Sequence, residues 1–199
     1  MTPAGAIVLC GGTSRRFGGR DKTREPFGDS TVLDTLLDSL PATWPVTCVG
    51  VERPTTRAVG WTREEPPLGG PVAGIAAGLR ALAAGPQILV VLAGDQPLAG
   101  AAAHRVARAL HTASGQVDAV AARAPGDRPA LLLCAYRRQP LSAALAGNPR
   151  DRGVYATLRG LRVDTLDVPA DQALDVDTPQ DLHRAHTSPG TTPGGTVRP

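Results

Sequence analysis

A basic, glycine-rich segment follows the first apolar run of the chain. Between Gly11 and Arg24 it contains five cations and one acid, a balance of +4, whereas the whole chain carries a net charge of +3. Backbone N–H groups of a glycine-rich turn and nearby cations are groups with which proteins bind phosphate. The segment therefore predicts a phosphate site, and the alternative is that its glycines only form a tight turn.

Lys22 is the only lysine among the 21 cationic residues of the chain. A compact ammonium suits a phosphate where the planar fork of arginine does not, so Lys22 is the first candidate for phosphate chemistry. The alternative is a surface lysine without a role. The segment matches neither standard phosphate loop, because Asp21 separates Lys22 from the glycines and no Gly-x-Gly-x-x-Gly follows the first strand.

Two acidic groups also stand next to predicted elements. Asp95 directly follows the most apolar run, Ile88–Ala93, and a carboxylate at such a strand end suits Mg²⁺ beside a phosphate. The alternative is a helix cap or an Asx turn with Pro97. Asp177, in the sequence DVDTP at 175–179, is either a second metal ligand or a charge that complements the positive end of the last helix.

Other catalytic chemistries find no support in the residue pattern. His183 and His186 have no further metal ligand at a suitable spacing, and no Gly-x-Ser-x-Gly nucleophile elbow is present. The three cysteines are odd in number and widely separated, so we expect buried thiols rather than disulfides or zinc ligands. Phosphoryl or nucleotidyl transfer is the chemistry that remains.

Apolar strand patterns alternate with helical ones along the chain. This alternation predicts a single-domain, three-layer α/β fold with a mostly parallel sheet and helices on both faces. A Gly126-Asp127 turn between two apolar runs predicts one antiparallel strand. We expect strands at 6–9, 46–51, 88–93, 117–122, 130–135 and 163–168. We expect helices at 32–40, 71–82, 99–113, 140–146, 154–161 and from 179, and an irregular segment at 52–70.

Composition limits the class of protein further. With 199 residues and 42% hydrophobic residues, the chain is long enough for one core, which we place at 1–186. Residues 187–199 are mostly Thr, Ser, Pro and Gly, which predicts a disordered tail. We expect no membrane segment, because apolar runs are short, and a cytoplasmic location, because no signal-peptide pattern opens the chain. Six aromatic residues and a locally concentrated positive charge argue against nucleic acid as a partner.

Four motifs, in order along the chain, resemble those of the molybdenum cofactor guanylyltransferase family, a branch of the nucleotidyltransferases with a Rossmann-like fold. The motifs are LCGGTSRRFGGRDK at 9–22, GGPVAGI at 69–75, AGDQP at 93–97 and DVDTP at 175–179. The resemblance implies transfer of GMP from GTP to the phosphate of molybdopterin, the organic part of the molybdenum cofactor. It also implies Mg²⁺ as cofactor and transient contact with molybdoenzyme apoproteins.

The resemblance also implies roles for particular residues. The residues expected to bind GTP are Leu9, Cys10, Gly11, Gly12, Lys22, Gly50, Glu65 and Asp95. The residues expected to be catalytic are Lys22, Asp95 and Arg16, and the expected metal ligands are Asp95 and Asp177.

Three positions depart from the family pattern. Gly50 stands where a base-contacting Asn is expected, Glu65 where an Asp is expected, and Arg128 where relatives often carry His. Glu65 keeps a carboxylate that can accept the two donors of guanine, so we expect GTP to remain preferred. The alternatives are a cytidylyl or other nucleotidyltransferase with a different phosphorylated acceptor, and a non-catalytic nucleotide-binding partner of molybdoenzymes.

Overall fold

The computed structural model describes residues 4–11, 20–65, 67–82 and 85–188, and these contain a seven-stranded sheet in the order β5-β4-β1-β6-β8-β7-β9. Two further short strands form a separate hairpin. In chain order the strands are β1 (Ala4–Leu9), β2 (Pro26–Phe27), β3 (Ser30–Thr31), β4 (Val46–Val49), β5 (Gly60–Thr62), β6 (Ile88–Ala93), β7 (Ala119–Arg123), β8 (Ala130–Arg137) and β9 (Val163–Asp167). The predicted α/β class is confirmed.

One strand of the large sheet runs against the others. β8 pairs antiparallel with both of its neighbours, β6 and β7, whereas every other pair in this sheet is parallel. The antiparallel strand predicted from the Gly126-Asp127 turn is therefore confirmed. Leu9 is level with both Val49 and Ala93, so β1, β4 and β6 end together at the carboxyl edge of the sheet.

Helices cover both faces of the sheet, as expected. They are α1 (Val32–Ser39), α2 (Pro71–Ala81), α3 (Gly100–Thr112), α4 (Arg138–Ala144), α5 (Val154–Leu158) and α6 (Pro179–His186). Val8 of β1 belongs to the core beneath α1 and α3, and its neighbour Ile7 belongs to the core beneath α2, α4 and α5, because strand side chains alternate between faces. Within the part of the chain described, no helix is long and apolar enough to cross a membrane.

Helix α2 lies unusually close to the sheet. A side chain at Gly78 would clash with Ile7, and a Cβ at Gly74 would stand 3.1 Å from the Leu9 side chain. The helix begins with Pro71 in its first turn, which fits the missing N–H of proline. Its amino end therefore lies over the ends of β1 and β4, at the carboxyl edge.

Several local features differ from the prediction, among them α5, which ends at Leu158 rather than at 161. The strand β5 lies within the segment predicted to be irregular. It pairs with β4 through only three residues, which are too few to show a strand pattern in the sequence. The β2-β3 hairpin was not predicted, since two-residue strands carry no periodicity. Helix α4 begins at Arg138 rather than at Pro140, so this proline occupies the first turn, where it is tolerated. The three cysteines are buried thiols, as predicted.

Candidate active site

Lys22, Asp95 and Asp177 meet at the carboxyl edge of the sheet. The Lys22 ammonium forms ion pairs with Asp95 Oδ2 and, at 2.5 Å, with Asp177 Oδ1. The side chains of Lys22 and Asp95 are only 19% and 13% exposed, and that of Asp177 is 45% exposed. The structure thus brings together three residues that the sequence separates by up to 155 positions.

The end of β6 fixes both acidic segments. The carbonyl of Asp95 accepts a hydrogen bond from the Val176 N–H at 2.9 Å, which ties the 175–177 segment to the strand end. Gln96 is buried; its Nε2 donates to Asp175 Oδ1 at 2.8 Å, and its Oε1 accepts from the Ala93 N–H at 3.3 Å. Gln96 is a site residue to which the sequence assigned no role, although it lies within the AGDQP motif.

The carboxylate of Asp95 does not cap the following helix. Helix α3 has Ala99 at its N-cap position, without a side-chain cap. Asp95 Oδ1 is buried and has no hydrogen-bond partner among the described residues, and Oδ2 faces Lys22. A buried carboxylate oxygen without a partner is costly unless a ligand satisfies it, so Asp95 has the environment of a binding group.

The charges at the site shift one another's pKa values. Burial lowers the pKa of Lys22, but hydrogen bonds to Asp177 and Asp95 outweigh this, so that the pKa is raised and the ammonium stays charged. Part of Asp175 is exposed to solvent. Desolvation of its carboxyl group by surrounding protein atoms, together with the negative charge of Asp95, raises its pKa to about 6. Among the described residues, the site therefore holds the Lys22 cation beside three acidic side chains.

The acidic residues fit Mg²⁺. Magnesium bound beside phosphates uses one or two carboxylates and keeps several waters. Asp95 and Asp177 both contact the Lys22 ammonium, and the buried Asp95 Oδ1 has no partner among the described residues. No group of three His, Cys, Asp or Glu side chains suited to a metal occurs in the described ranges, so phosphate oxygens and water would have to complete the coordination.

The residues expected to contact the nucleotide lie at adjacent strand ends. Leu9 is the last residue of β1, and Cys10 follows it. Gly50 follows β4, and a Cβ on Gly50 would stand 3.2 Å from the Cys10 carbonyl carbon. Gly11 and Glu65 are both exposed, so the structure does not enclose the Glu65 carboxylate. Gly12 and Arg16 lie outside the described residues.

The Cys10 thiol has no features of a nucleophile. A hydrogen bond with Cys48 and burial raise its pKa well above the ordinary value, which disfavours the thiolate. Covalent catalysis by this residue therefore lacks support, in agreement with the sequence.

A cavity of about 700 Å³ opens beside the acidic residues. Asp95, Gln96 and Asp175 line one part of it, and Arg128 and Tyr155 line another. Most of the remaining wall is apolar, formed by side chains of alanine, leucine and valine. A cavity of this size has room for a small organic molecule next to the Lys22 and Asp95 pair.

Comparison with known proteins gives one family and several similar folds. The model of the MobA-like NTP transferase domain matches residues 6–188. No curated protein sequence matches the chain.

Solved structures resemble the chain over nearly its whole length. Molybdopterin-guanine dinucleotide biosynthesis protein A from Archaeoglobus fulgidus has a TM-score of 0.69 at 22% identity, with 91% of this chain and 96% of that chain covered. The protein Rv0371c from Mycobacterium tuberculosis has a TM-score of 0.69 at 24% identity, with 94% of this chain and 98% of that chain covered. The 2-C-methyl-D-erythritol 4-phosphate cytidylyltransferase from Thermus thermophilus has a TM-score of 0.65 at 16% identity, with 90% of this chain and 96% of that chain covered. At these identities the likeness concerns the fold.

Proposed function

Because the chain belongs to the family of the MobA-like NTP transferase domain, we propose that it transfers GMP from GTP to the phosphate of molybdopterin. The products are pyrophosphate and a guanine dinucleotide form of the cofactor. Nucleotidyl transfer is the chemistry of the family, whereas the guanine base and the molybdopterin acceptor are the proposal.

One observation carries the proposal: Lys22, Asp95 and Asp177 converge beside a cavity of about 700 Å³ at the carboxyl edge of the sheet. Open α/β sheets bind their ligands at this edge. The cation and the carboxylates supply the groups that a nucleoside triphosphate with its metal requires, and the cavity offers space for an acceptor.

In the proposed reaction, an oxygen of the acceptor phosphate attacks the α-phosphorus of GTP. A new phosphorus–oxygen bond forms, and the bond from the α-phosphorus to the bridging oxygen of the β-phosphate breaks. Lys22 stabilises negative charge on the phosphate oxygens, and the end of β1 at Cys10 and Gly11 positions the nucleotide. No covalent enzyme intermediate is needed.

Asp95 and Asp177 are the residues that would hold Mg²⁺. The metal supplies charge neutralisation for the phosphates. In the structure Lys22 pairs with both carboxylates, so a metal bound there would take over that pairing and leave the ammonium for the phosphates. Arg16 is proposed to assist Lys22, and it lies outside the described residues.

The choice of GTP rests on the resemblance in the GGPVAGI motif and on the carboxylate of Glu65. The name of the Archaeoglobus protein also refers to a guanine dinucleotide. The second candidate is cytidylyl transfer to another phosphorylated acceptor. It is left open by Gly50 and Arg128, which depart from the family pattern at the base and the acceptor, and the fold is also similar to that of a cytidylyltransferase.

A thermal-shift panel of GTP, CTP, ATP and UTP, each with and without Mg²⁺, tests the proposal. A ligand at 100 times its dissociation constant stabilises the folded state by about 2.7 kcal/mol. We expect the largest shift with GTP and Mg²⁺, and a much smaller one in Asp95→Asn. A larger shift with CTP would favour the second candidate, and shifts without pyrophosphate release on addition of molybdopterin would favour a non-catalytic binding partner.

A further inference from the structure

Asp21 is the single acid in the basic segment between Gly11 and Arg24, and it directly precedes Lys22. Its Oδ1 accepts hydrogen bonds from the Thr23 N–H at 3.1 Å and the Thr23 hydroxyl at 2.6 Å. Its Oδ2 accepts a hydrogen bond from Arg53 Nη1 at 2.9 Å. Both carboxylate oxygens thus hold the short 3-10 turn that begins at Lys22.

Arg53 is held on two sides. Its Nη2 donates to the Thr23 hydroxyl, while Nη1 donates to Asp21, so the guanidinium spans the turn. The same guanidinium lies over the ring of Trp61 in β5, 5.3 Å from the ring centroid. The Arg53 side chain is only 11% exposed. The planar fork and the aromatic contact together fix its orientation.

The consequence concerns Lys22. A lysine side chain has a flexible four-carbon stem, so the place its ammonium reaches depends on how firmly its backbone is held. Here the residues on either side of Lys22 are bound to one arginine from a different part of the chain. The ammonium reaches two carboxylates that come from two further segments.

We propose that Arg53 is a positioning residue that holds the Asp21-Thr23 turn so that the Lys22 ammonium reaches Asp95 and Asp177. Its relevance to turnover rests on the proposed function, whereas its effect on Lys22 does not. The ordinary alternative is that Arg53 only stabilises the fold. Arg57 provides a matched control, because it is partly buried in the same segment and donates to backbone carbonyls such as those of Leu37 and Trp44.

Acetylation of Lys22 with an amine-reactive ester, followed by mass spectrometry, tests the inference without any substrate. The chain has one lysine, so its side-chain modification reports on a single site. In Arg53→Ala we expect Lys22 to react about tenfold faster, because the turn opens more often, and in Arg57→Ala within about twofold of the parent rate. Asp21→Asn should also raise the rate of Lys22 acetylation, because it removes the carboxylate that Arg53 binds. If Arg53→Ala does not fold, the rate in Asp21→Asn is the test. An unchanged rate in the folded variants would overturn the inference.

A second arm measures pyrophosphate release with GTP, Mg²⁺ and molybdopterin. Arg53→Ala should lower kcat about ten- to a hundredfold, and the loss should vanish in the Lys22→Ala background if Arg53 acts through Lys22. Losses that multiply in the double variant would contradict this. If the parent transfers no nucleotide at all, the proposed function fails, while the acetylation rates still decide the role of Arg53.

Discussion

Two acid–base groupings lie at opposite edges of the same sheet. At the amino edge, Asp118 precedes β7 and Arg162 precedes the adjacent β9. Asp118 Oδ1 accepts from Arg162 Nη2 at 2.9 Å, and Oδ2 accepts from the Arg162 N–H and Nε at 2.9 and 3.0 Å. At the carboxyl edge, Lys22 faces two carboxylates, and Asp95 Oδ1 has no partner among the described residues.

The difference separates a structural ion pair from a binding site. Both carboxylate oxygens of Asp118 accept hydrogen bonds from Arg162, which joins the starts of two strands. Neither oxygen is left without a partner that a ligand would have to supply. Among the described residues, the carboxyl-edge grouping has two carboxylates for one ammonium and a buried oxygen without a partner, an arrangement that costs stability unless it serves binding. The comparison predicts opposite outcomes when either group is altered.

The largest expected effect is that of Asp95→Asn. The amide keeps the shape of the side chain but removes the charge, so turnover should fall by about a thousandfold while the free energy of unfolding is unchanged or rises. Asp177→Asn should show a milder loss, because this side chain is more exposed. Isothermal titration of Mg²⁺ into the complex with GTP checks the cause, and unchanged metal affinity in Asp95→Asn would rule out a ligand role.

Lys22→Ala is expected to lower turnover by about a hundredfold or more, since a fixed charge beside the phosphates is lost. Lys22→Arg should rescue only part of it, because a planar fork does not replace a compact ammonium. Steady-state kinetics with circular dichroism as a folding control measures both variants. Near-normal turnover in a folded Lys22→Ala protein would contradict the role.

Asp118→Asn should show the reverse behaviour. We expect turnover within about twofold of the parent and a melting temperature lower by a few degrees, because a bidentate pair is broken away from the site. The Arg162 pair lowers the pKa of Asp118 to about 2. Its contribution is therefore complete above the ordinary pKa of 3.8 and is lost as the pH falls towards 2, so the gap between parent and variant should narrow over that range. A gap independent of pH would contradict the pairing.

The smallest expected effect is that of Glu65→Gln on the choice of base. The carboxylate has two acceptor oxygens for the two donors of guanine, whereas the amide has only one. The ratio of kcat/KM for GTP to that for ATP should therefore narrow without loss of transfer. Because Glu65 is exposed in the structure, a narrowing of a few-fold is expected rather than abolition. An unchanged preference would remove Glu65 from base selection.

Sequence periodicity was sufficient for the main elements and for part of the site. Buried parallel strands are continuous apolar runs, and residues that follow them must meet at one edge, which is why Asp95 could be placed at the same edge as the end of β1. Short elements such as β5 could not be predicted, since three residues carry too little pattern. Gln96 and Arg53 could not be assigned either, because their roles depend on partners far away in the chain.

Catalysis of guanylyl transfer by the carboxyl-edge grouping is tested by pyrophosphate release in the parent and two variants. The parent protein, Asp95→Asn and Asp118→Asn are each incubated with GTP, Mg²⁺ and molybdopterin, and the dinucleotide product is identified by mass spectrometry. We expect equal amounts of pyrophosphate and guanylylated product from the parent and from Asp118→Asn, and almost none from Asp95→Asn. Release at the parent rate from Asp95→Asn, or no release from the parent with GTP, would contradict guanylyl transfer at this site.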